Sequence, residues 1–312
     1  MLYLVTGGAG FIGSNIVEEL LKRGERVRVL DNFSTGKRSN LLPFLGDIEL
    51  VEGDIRSYHI VHEAVRGAEV VLHQAALPSV PRSIADPITT HEVNTNGTLN
   101  VLAAAREHAV RRVVFASSSS IYGDSAELPK HEGMIPNPLS PYAVSKLAGE
   151  KYMQVYYRLY GLETVSLRYF NVFGPRQNPD SQYSAVIPRF IAAVLAGRSP
   201  VVYGDGEQTR DFTYVANVVA ANISAAEAPA AAGEVMNIAC RERVSINRLI
   251  DDLRRLTGRE VQPVYEAPRL GDVRHSFADI SKAEALLGYR NIVRWETGLR
   301  MTVESFAEAS FS

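Results

Sequence analysis

The run Ser140-Pro141-Tyr142-Ala143-Val144-Ser145-Lys146 holds a phenol and an amine at a spacing that can do chemistry. On a helix, a four-residue separation puts Tyr142 and Lys146 on one face, one turn apart. A phenol has an ordinary pKa of about 10 and is a poor base at neutral pH, so a lysine cation and a nicotinamide cation beside it must favour the phenolate. A Tyr-x-x-x-Lys spacing alone is common on surface helices, and its weight depends on what precedes it. Upstream, Val113-Val114-Phe115-Ala116 reads as a strand running into Ser117-Ser118-Ser119-Ser120-Ile121-Tyr122-Gly123. In a doubly wound sheet the carboxyl ends of strands are where ligands bind, so these hydroxyls would be delivered to the crevice. Beside the tyrosine and the lysine, a serine that hydrogen-bonds the reacting hydroxyl is a better reading than serines that fill a turn.

A second pattern supplies the missing partner. Gly7-Gly8-Ala9-Gly10-Phe11-Ile12-Gly13 leaves the first apolar run and opens the first amphipathic segment. Such glycines allow a tight turn, close backbone approach to a pyrophosphate, and close helix-to-strand packing, with phosphate at the positive helix N-terminus. The run Val27-Arg28-Val29-Leu30 then ends at Asp31, 18 residues after Gly13. An acidic side chain at the end of a second strand accepts hydrogen bonds from ribose hydroxyls and repels a 2′-phosphate, which favours NAD over NADP. Lys37 and Arg38 come next; they read either as phosphate contacts or as a solvated basic turn.

These groups need a scaffold, and the alternation of two periodicities provides one. Short β-rich runs at 2–6, 26–30, 69–73 and 111–116 are separated by segments with helical spacing, which argues for βαβ units and a parallel sheet covered on both faces. Residues 11–23 place Ile12, Ile16, Val17, Leu20 and Leu21 on one face and Glu18, Glu19, Lys22 and Arg23 on the other, with Gly24 as a stop. Residues 87–109 and 140–160 also read as helices, the second with Pro141 near its start, where proline is tolerated. Beyond about residue 170 the pattern loosens into short apolar runs punctuated by proline and glycine. The alanine-rich stretch 225–232 reads as a helix end and a surface loop. The expected fold is α/β: a Rossmann-type doubly wound parallel sheet in residues 1–170, and a smaller C-terminal α/β substrate-binding domain in 171–312 with some segments returning to the first. At 312 residues the chain is long enough for that, against about 150 residues per domain.

Taken together, Gly7 to Gly13, Asp31-Asn32, Gly53-Asp54-Ile55, Ser140 to Lys146, Arg168-Tyr169-Phe170-Asn171-Val172-Phe173-Gly174-Pro175-Arg176 and Arg210-Asp211-Phe212 resemble the extended short-chain dehydrogenase/reductase family. Within it the match is to the UDP-hexose 4-epimerases, and it runs almost from end to end. The resemblance implies a firmly held NAD and reversible oxidation at C4 of a UDP-sugar. Tyr142 would take the C4 hydroxyl proton, Ser118 would hydrogen-bond the reacting oxygen, and Lys146 would lower the tyrosine pKa and hold the ribose. It implies cofactor contacts from Gly7, Gly10, Phe11, Ile12, Gly13, Asp31, Asn32, Ser34, Thr35, Gly36, Asp54, Ile55, Gln74, Ala75, Ala76, Asn94, Tyr142, Lys146 and Tyr169. For the substrate it implies Ser118, Ser119, Ser120, Tyr142, Asn171, Ser184, Ala185, Val186, Tyr203, Arg210, Arg269, Asp272 and Ser276. Arginine suits a diphosphate because its planar fork of donors stays charged.

Subclasses of this family differ in the fate of the oxidised sugar. The 4,6-dehydratases place an Asp-Glu pair just after a threonine that replaces the catalytic serine, whereas Ser119 and Ser120 stand here. Decarboxylases usually carry a glutamate in the same segment, and none is present. In Gly271-Asp272-Val273-Arg274-His275-Ser276-Phe277-Ala278-Asp279, Ser276 occupies the position at which strict glucose/galactose epimerases carry a bulky tyrosine. A small residue leaves room beside the sugar C2, so N-acetylated sugars are expected to fit without excluding plain ones. Two alternatives stay open: a UDP-glucuronic acid 4-epimerase, which would need a cation near C6, and a non-catalytic NAD-binding sensor on the same fold.

Composition excludes other classes. The chain is 46% hydrophobic and 22% charged, with 33 basic and 35 acidic residues and a net charge of −2. No global field draws it toward nucleic acid or an anionic membrane. One cysteine, Cys240, cannot form an intrachain disulfide, which suits a cytoplasmic protein. The apolar start is strand-length and lacks the form of a signal peptide, and no run reaches the roughly 18 apolar residues of a membrane span. His59 and His62 lack a third ligand and read as a solvated helix face, so no metal is expected. By resemblance to the family's four-helix interface, the two long helices imply a homodimer.

Overall fold

Every residue of Leu2–Thr6 (β1) is buried, because both faces of the strand are covered: Tyr3 and Val5 pack into one apolar cluster and Leu4 into another. Such two-sided burial belongs to a parallel sheet between helical layers. The computed structural model describes residues 1–179, 185–268 and 273–309. After β1 come Phe11–Lys22 (α1), Arg26–Asp31 (β2), Ile48–Glu52 (β3), Tyr58–Val65 (α2) and Val70–His73 (β4). Val80–Ala85 (α3), Pro87–His91 (α4), Gly97–Glu107 (α5), Arg112–Ser118 (β5), Pro141–Tyr160 (α6) and Glu163–Tyr169 (β6) complete the first half.

The second half holds short strand pairs: Val172–Phe173 (β7) with Thr213–Tyr214 (β10), Val201–Tyr203 (β8) with Val264–Glu266 (β13), and Thr209–Arg210 (β9) with Val244–Ser245 (β12). Its helices are Val186–Leu195 (α7), Val215–Glu227 (α8), Ile246–Thr257 (α9), Ser281–Leu287 (α10) and Trp295–Ala309 (α11). Val235–Ile238 (β11) leaves this half and pairs with β6, giving a parallel seven-stranded sheet in the order β11-β6-β5-β4-β1-β2-β3. The order reverses between β1 and β4, and a ligand crevice forms outside the carboxyl ends of the strands at such a switch point. Among the described residues, no helix is long and apolar enough to cross a membrane.

The doubly wound parallel sheet is the expected fold, and the four expected strands lie within two residues of their sequence positions. The strand β3 has no counterpart in the sequence reading, because it sits at the sheet edge with no fully buried residue and so lacks a continuous apolar run. The alanine-rich stretch is not a surface loop throughout: Ala225, Ala226 and Ala231 are fully buried. The carbonyls of Ala225 and Ala228 accept from the buried Arg112 at 2.8 and 2.6 Å, so a cation closes the end of α8 from within the sheet.

The expected continuous helix at 87–109 is instead interrupted by a π-helical turn at Glu92–Asn96. The widened turn places Asn94 inward, where it accepts from Leu77 N at 2.8 Å and donates to Leu77 O at 3.2 Å and Ser145 Oγ at 3.0 Å. A π-bulge of this kind often marks a functional region, and here it fastens the segment after β4 to α6.

Buried His73 ends β4, its Nδ1 2.7 Å from Thr6 Oγ1 and its Nε2 3.0 Å from Thr98 Oγ1. Thr98 spends its hydroxyl proton on Asn94 O at 2.6 Å, so Nε2 must donate and Nδ1 accepts from Thr6: the ring is neutral. Burial, and then the Lys146 charge, lower the His73 pKa to about 3. The unfolded chain takes up that proton at about 6.5, so between those values the unfolded state binds more protons and stability falls with falling pH. Urea unfolding at pH 7 and pH 5 is expected to show a loss on acidification that shrinks in His73→Gln; equal losses in both proteins would contradict this.

Candidate active site

The turn after β1 is built for close approach. Gly7 adopts a left-handed φ of +69° while its N–H donates to Leu30 O at 2.7 Å. A Cβ on Gly13 would stand 2.1 Å from Gly7 O, so only glycine lets α1 begin this near the strand. Gly10 caps α1 with no side-chain hydrogen bond, and the first turn carries no acid. Its leading N–H groups and the positive end of the helix dipole are thus available to an anion. Asp31 lies at the end of β2, with Oδ2 accepting from Ala9 N at 2.9 Å and Oδ1 from Phe33 N at 2.8 Å. Burial pushes its pKa up, and the backbone donors oppose that rise.

A cleft of about 810 Å³ runs along the carboxyl ends of β1, β2, β4 and β5. It brings together Gly7, Gly10, Phe11, Ile12 and Gly13 with Asp31, Asn32, Ser34 and Thr35, and with Asp54, Ile55, Gln74, Ala75 and Ala76. The same lining includes Ser118, Tyr142, Lys146, Tyr169 and Asn171. A second cleft of about 450 Å³ shares Ser79, Val80, Asn171, Val172 and Ala185 with the first and adds Val186, Tyr203 and Arg210. The two therefore form one groove that passes from the glycine loop into the C-terminal half.

Five of the expected site residues lie outside both linings. Gly36 packs against Ala9, and Asn94 is turned to Leu77. Ser119 and Ser120 lie in the 3-10 turn Ser119–Tyr122, where Ser120 Oγ is buried without a hydrogen-bond partner. Ser276 is half-buried, its N–H donating to Thr209 O at 3.0 Å. Ser184, Arg269 and Asp272 fall outside the described residues. Lys37 lines the first cleft, whereas Arg38 pairs with Glu52 at 2.5 Å and stacks over Phe33.

At the centre, the end of β5 faces three successive turns of α6. Ser118 and Tyr142 line the cleft together; Lys146 Nζ donates to Ala116 O at 2.8 Å; and Ser117 Oγ donates to Glu150 Oε1 at 2.5 Å. Burial pushes the Tyr142 phenol up and the Ser118 hydroxyl pulls it back down. Burial alone lowers the Lys146 ammonium to about 7. Lys146 Nζ lies 5.9 Å from the centre of the Tyr142 ring, and an ammonium this near favours the phenolate form. The arrangement can move a proton between a substrate hydroxyl and Tyr142 near neutral pH.

Sequence reasoning does not reach the support beneath this trio. Buried Glu150 accepts from Arg168 through both oxygens at 2.8 Å each. Arg168 also donates to Tyr122 OH at 2.7 Å, which in turn donates to Asn237 Oδ1 at 2.7 Å. The available signal is the repeat Tyr142, Lys146, Glu150, three chemistry-bearing residues on one helical stripe.

A family model described as "NAD dependent epimerase/dehydratase family" matches residues 3–239. Among solved structures, the chain is similar to the UDP-glucose 4-epimerase of Thermotoga maritima with UDP-glucose, at 38% identity and a TM-score of 0.95, covering 99% of this chain and 100% of that one. It is similar to the UDP-N-acetylglucosamine 4-epimerase of Methanobrevibacter ruminantium, at 39% identity and a TM-score of 0.94, covering 98% of each. It is also similar to the UDP-glucose 4-epimerase of Thermus thermophilus in complex with NAD, at 40% identity and a TM-score of 0.90, covering 99% of this chain and 100% of that one. The cofactor is NAD: the uncapped α1 N-terminus, the close turn at Gly7 and Gly13, and Asp31 at the end of β2 form a cradle of the right chemistry for it.

Removing Glu150 strands the buried Arg168 charge, so Glu150→Ala is expected to cost about 3–5 kcal/mol of stability. Ser117→Ala removes one hydrogen bond, about 1 kcal/mol, and is expected to lower kcat while leaving the substrate KM within about twofold. Denaturant unfolding with steady-state kinetics checks both; a Ser117→Ala enzyme with native kcat would contradict the positioning argument.

Proposed function

The chain belongs to the NAD-dependent epimerase/dehydratase family, and on that premise we propose that it interconverts UDP-hexoses by reversible epimerisation at C4. The observation that carries this reading is that Ser118, Tyr142 and Lys146, the last held on Ala116 O, line the same cleft that begins at the glycine loop. When bound, NAD supplies the means to oxidise C4 and to reduce it again. Tyr142 accepts the C4 hydroxyl proton and later returns it. Ser118 holds the reacting oxygen, and Lys146 keeps the phenolate favourable. Asn171, Ala185, Val186, Tyr203 and Arg210 in the adjoining groove grip the UDP, which leaves the sugar free to present its other face. No net redox change results, so the cofactor need not leave.

UDP-N-acetylglucosamine and UDP-N-acetylgalactosamine are the proposed substrates, with UDP-glucose and UDP-galactose accepted alongside. What supports this is the sequence alone: Ser276 stands at the position where strict glucose/galactose epimerases of the resembled family carry a bulky tyrosine, although it lies outside both cleft linings. The uronic acid alternative needs a cation at the sugar, and Arg82 lines the first cleft, so UDP-glucuronic acid belongs in the test. We assign residues 1–170, with α8 and β11 returning, to NAD binding, and the rest mainly to the UDP-sugar. Ile88 on α4, with Val144 and Leu159 on α6, is exposed and fits burial in a homodimer of a cytoplasmic enzyme. Purified protein assayed with each UDP-sugar, without added cofactor, is expected to turn over the acetylated sugars. Ser276→Tyr is expected to reduce that turnover by roughly 10–100-fold while sparing UDP-glucose. Activity confined to UDP-glucose, or acetylated-sugar turnover unchanged in Ser276→Tyr, would contradict the substrate reading.

A further inference from the structure

The segment after β7 does not stay with its own half of the molecule. Pro175 O accepts from Asn15 Nδ2 on α1 at 3.3 Å, and that amide also donates to Phe11 O at 2.8 Å. Arg176 Nη2 donates to Asn15 Oδ1 at 2.8 Å and to Glu18 Oε2 at 2.5 Å. Asn178 Oδ1 accepts from Lys37 Nζ at 3.4 Å, and Lys37 is held by its own N–H on Ala9 O at 3.0 Å. The substrate-side segment is thus stitched at three places to the helix and the loop that form the dinucleotide cradle.

Two further features mark this segment as built for a purpose. Arg176 stands at a φ of +68°, a left-handed conformation that residues other than glycine seldom adopt and that persists where surrounding contacts enforce it. Its Nε is buried and has no hydrogen-bond partner, although the same guanidinium is pinned by Asn15 and Glu18 and lines the first cleft with Gln177 and Asn178.

We propose that Arg176 is a latch: by fastening the Pro175–Asn178 segment to Asn15 and Glu18 of α1, it closes the first cleft and retains NAD between turnovers. The proposal takes NAD as the cofactor but does not depend on which sugar is used. In the latched state the cofactor can leave only after the Arg176–Glu18 pair and the Asn15 contacts break together. Retention is therefore a property of a contact between the two halves as much as of the glycine loop.

The test follows NAD release from the holoenzyme after rapid dilution into a trap that consumes free NAD, with no sugar present. Arg176→Gln is expected to release NAD at least about tenfold faster than the native protein, the change set by loss of a charge-assisted contact. Glu18→Gln, which keeps the shape of the partner and removes its charge, is expected to accelerate release about threefold or more, and it serves if the first variant fails to fold. Native release rates in both variants would overturn the proposal. Acceleration in Arg176→Gln alone would also overturn the latch, since it would place the effect in a direct phosphate contact instead. Because the readout needs no substrate, absence of epimerase turnover would count against the proposed reaction and leave this result standing.

Discussion

Beneath the end of β5, the paired oxygens of Glu150 meet the fork of Arg168 in a space closed to water. A buried pair of this kind adds little net stability on its own, since desolvation offsets much of the attraction. Its value is geometric: it stands one helical turn beyond Lys146 and holds Ser117, so α6 can meet β5 in only one register. That register leaves Ala116 O under the lysine and Ser118 beside Tyr142. The lysine contact is thus held by the fold itself, through Ser117, Glu150 and Arg168, rather than by a ligand.

The same logic runs through the cofactor side. Gly13 lies too close to Gly7 O for any side chain, and this crowding starts α1 against the sheet with its N-terminus open. His73, held neutral by Thr6 and Thr98, fixes the ends of β1 and β4 on either side of the switch point. Asn94, turned inward by the π-helical turn, ties the segment after β4 to Ser145 on α6. The cradle and the proton-transfer group are therefore parts of one connected framework, which suits a reaction in which oxidation and reduction occur in the same place.

The sequence is legible where periodicity and chemistry coincide. The helix α1 shows a clean apolar stripe behind a glycine turn, and Tyr142 and Lys146 share one face of α6. The misses have physical causes. The edge strand β3 has no run of buried residues, and β11 carries Asn237 in its middle, polar because it satisfies Tyr122 and the carbonyls of Lys130 and Asp279. A π-helical turn adds one residue without disturbing the polar and apolar pattern on either side of it. The four serines after Ala116 look equivalent in the sequence; only the end of the strand decides that Ser117 turns to Glu150, Ser118 to Tyr142, and Ser119 and Ser120 into a turn away from the groove. Asn94, read as a cofactor contact, also braces Leu77 and Ser145, a role its spacing does not show, whereas Glu150 escapes notice because an acid on a helix ordinarily faces water.

We propose that Tyr142 carries the proton in a site whose framework does not depend on its hydroxyl. Tyr142→Phe removes that hydroxyl and leaves Lys146, Glu150 and the glycine loop in place. The direct measurement is its epimerisation rate alongside its NAD content and thermal midpoint. A fall of at least about 1,000-fold in kcat, with NAD content and midpoint near native, is the expected result. Turnover within about tenfold of the native enzyme would show that another group moves the proton.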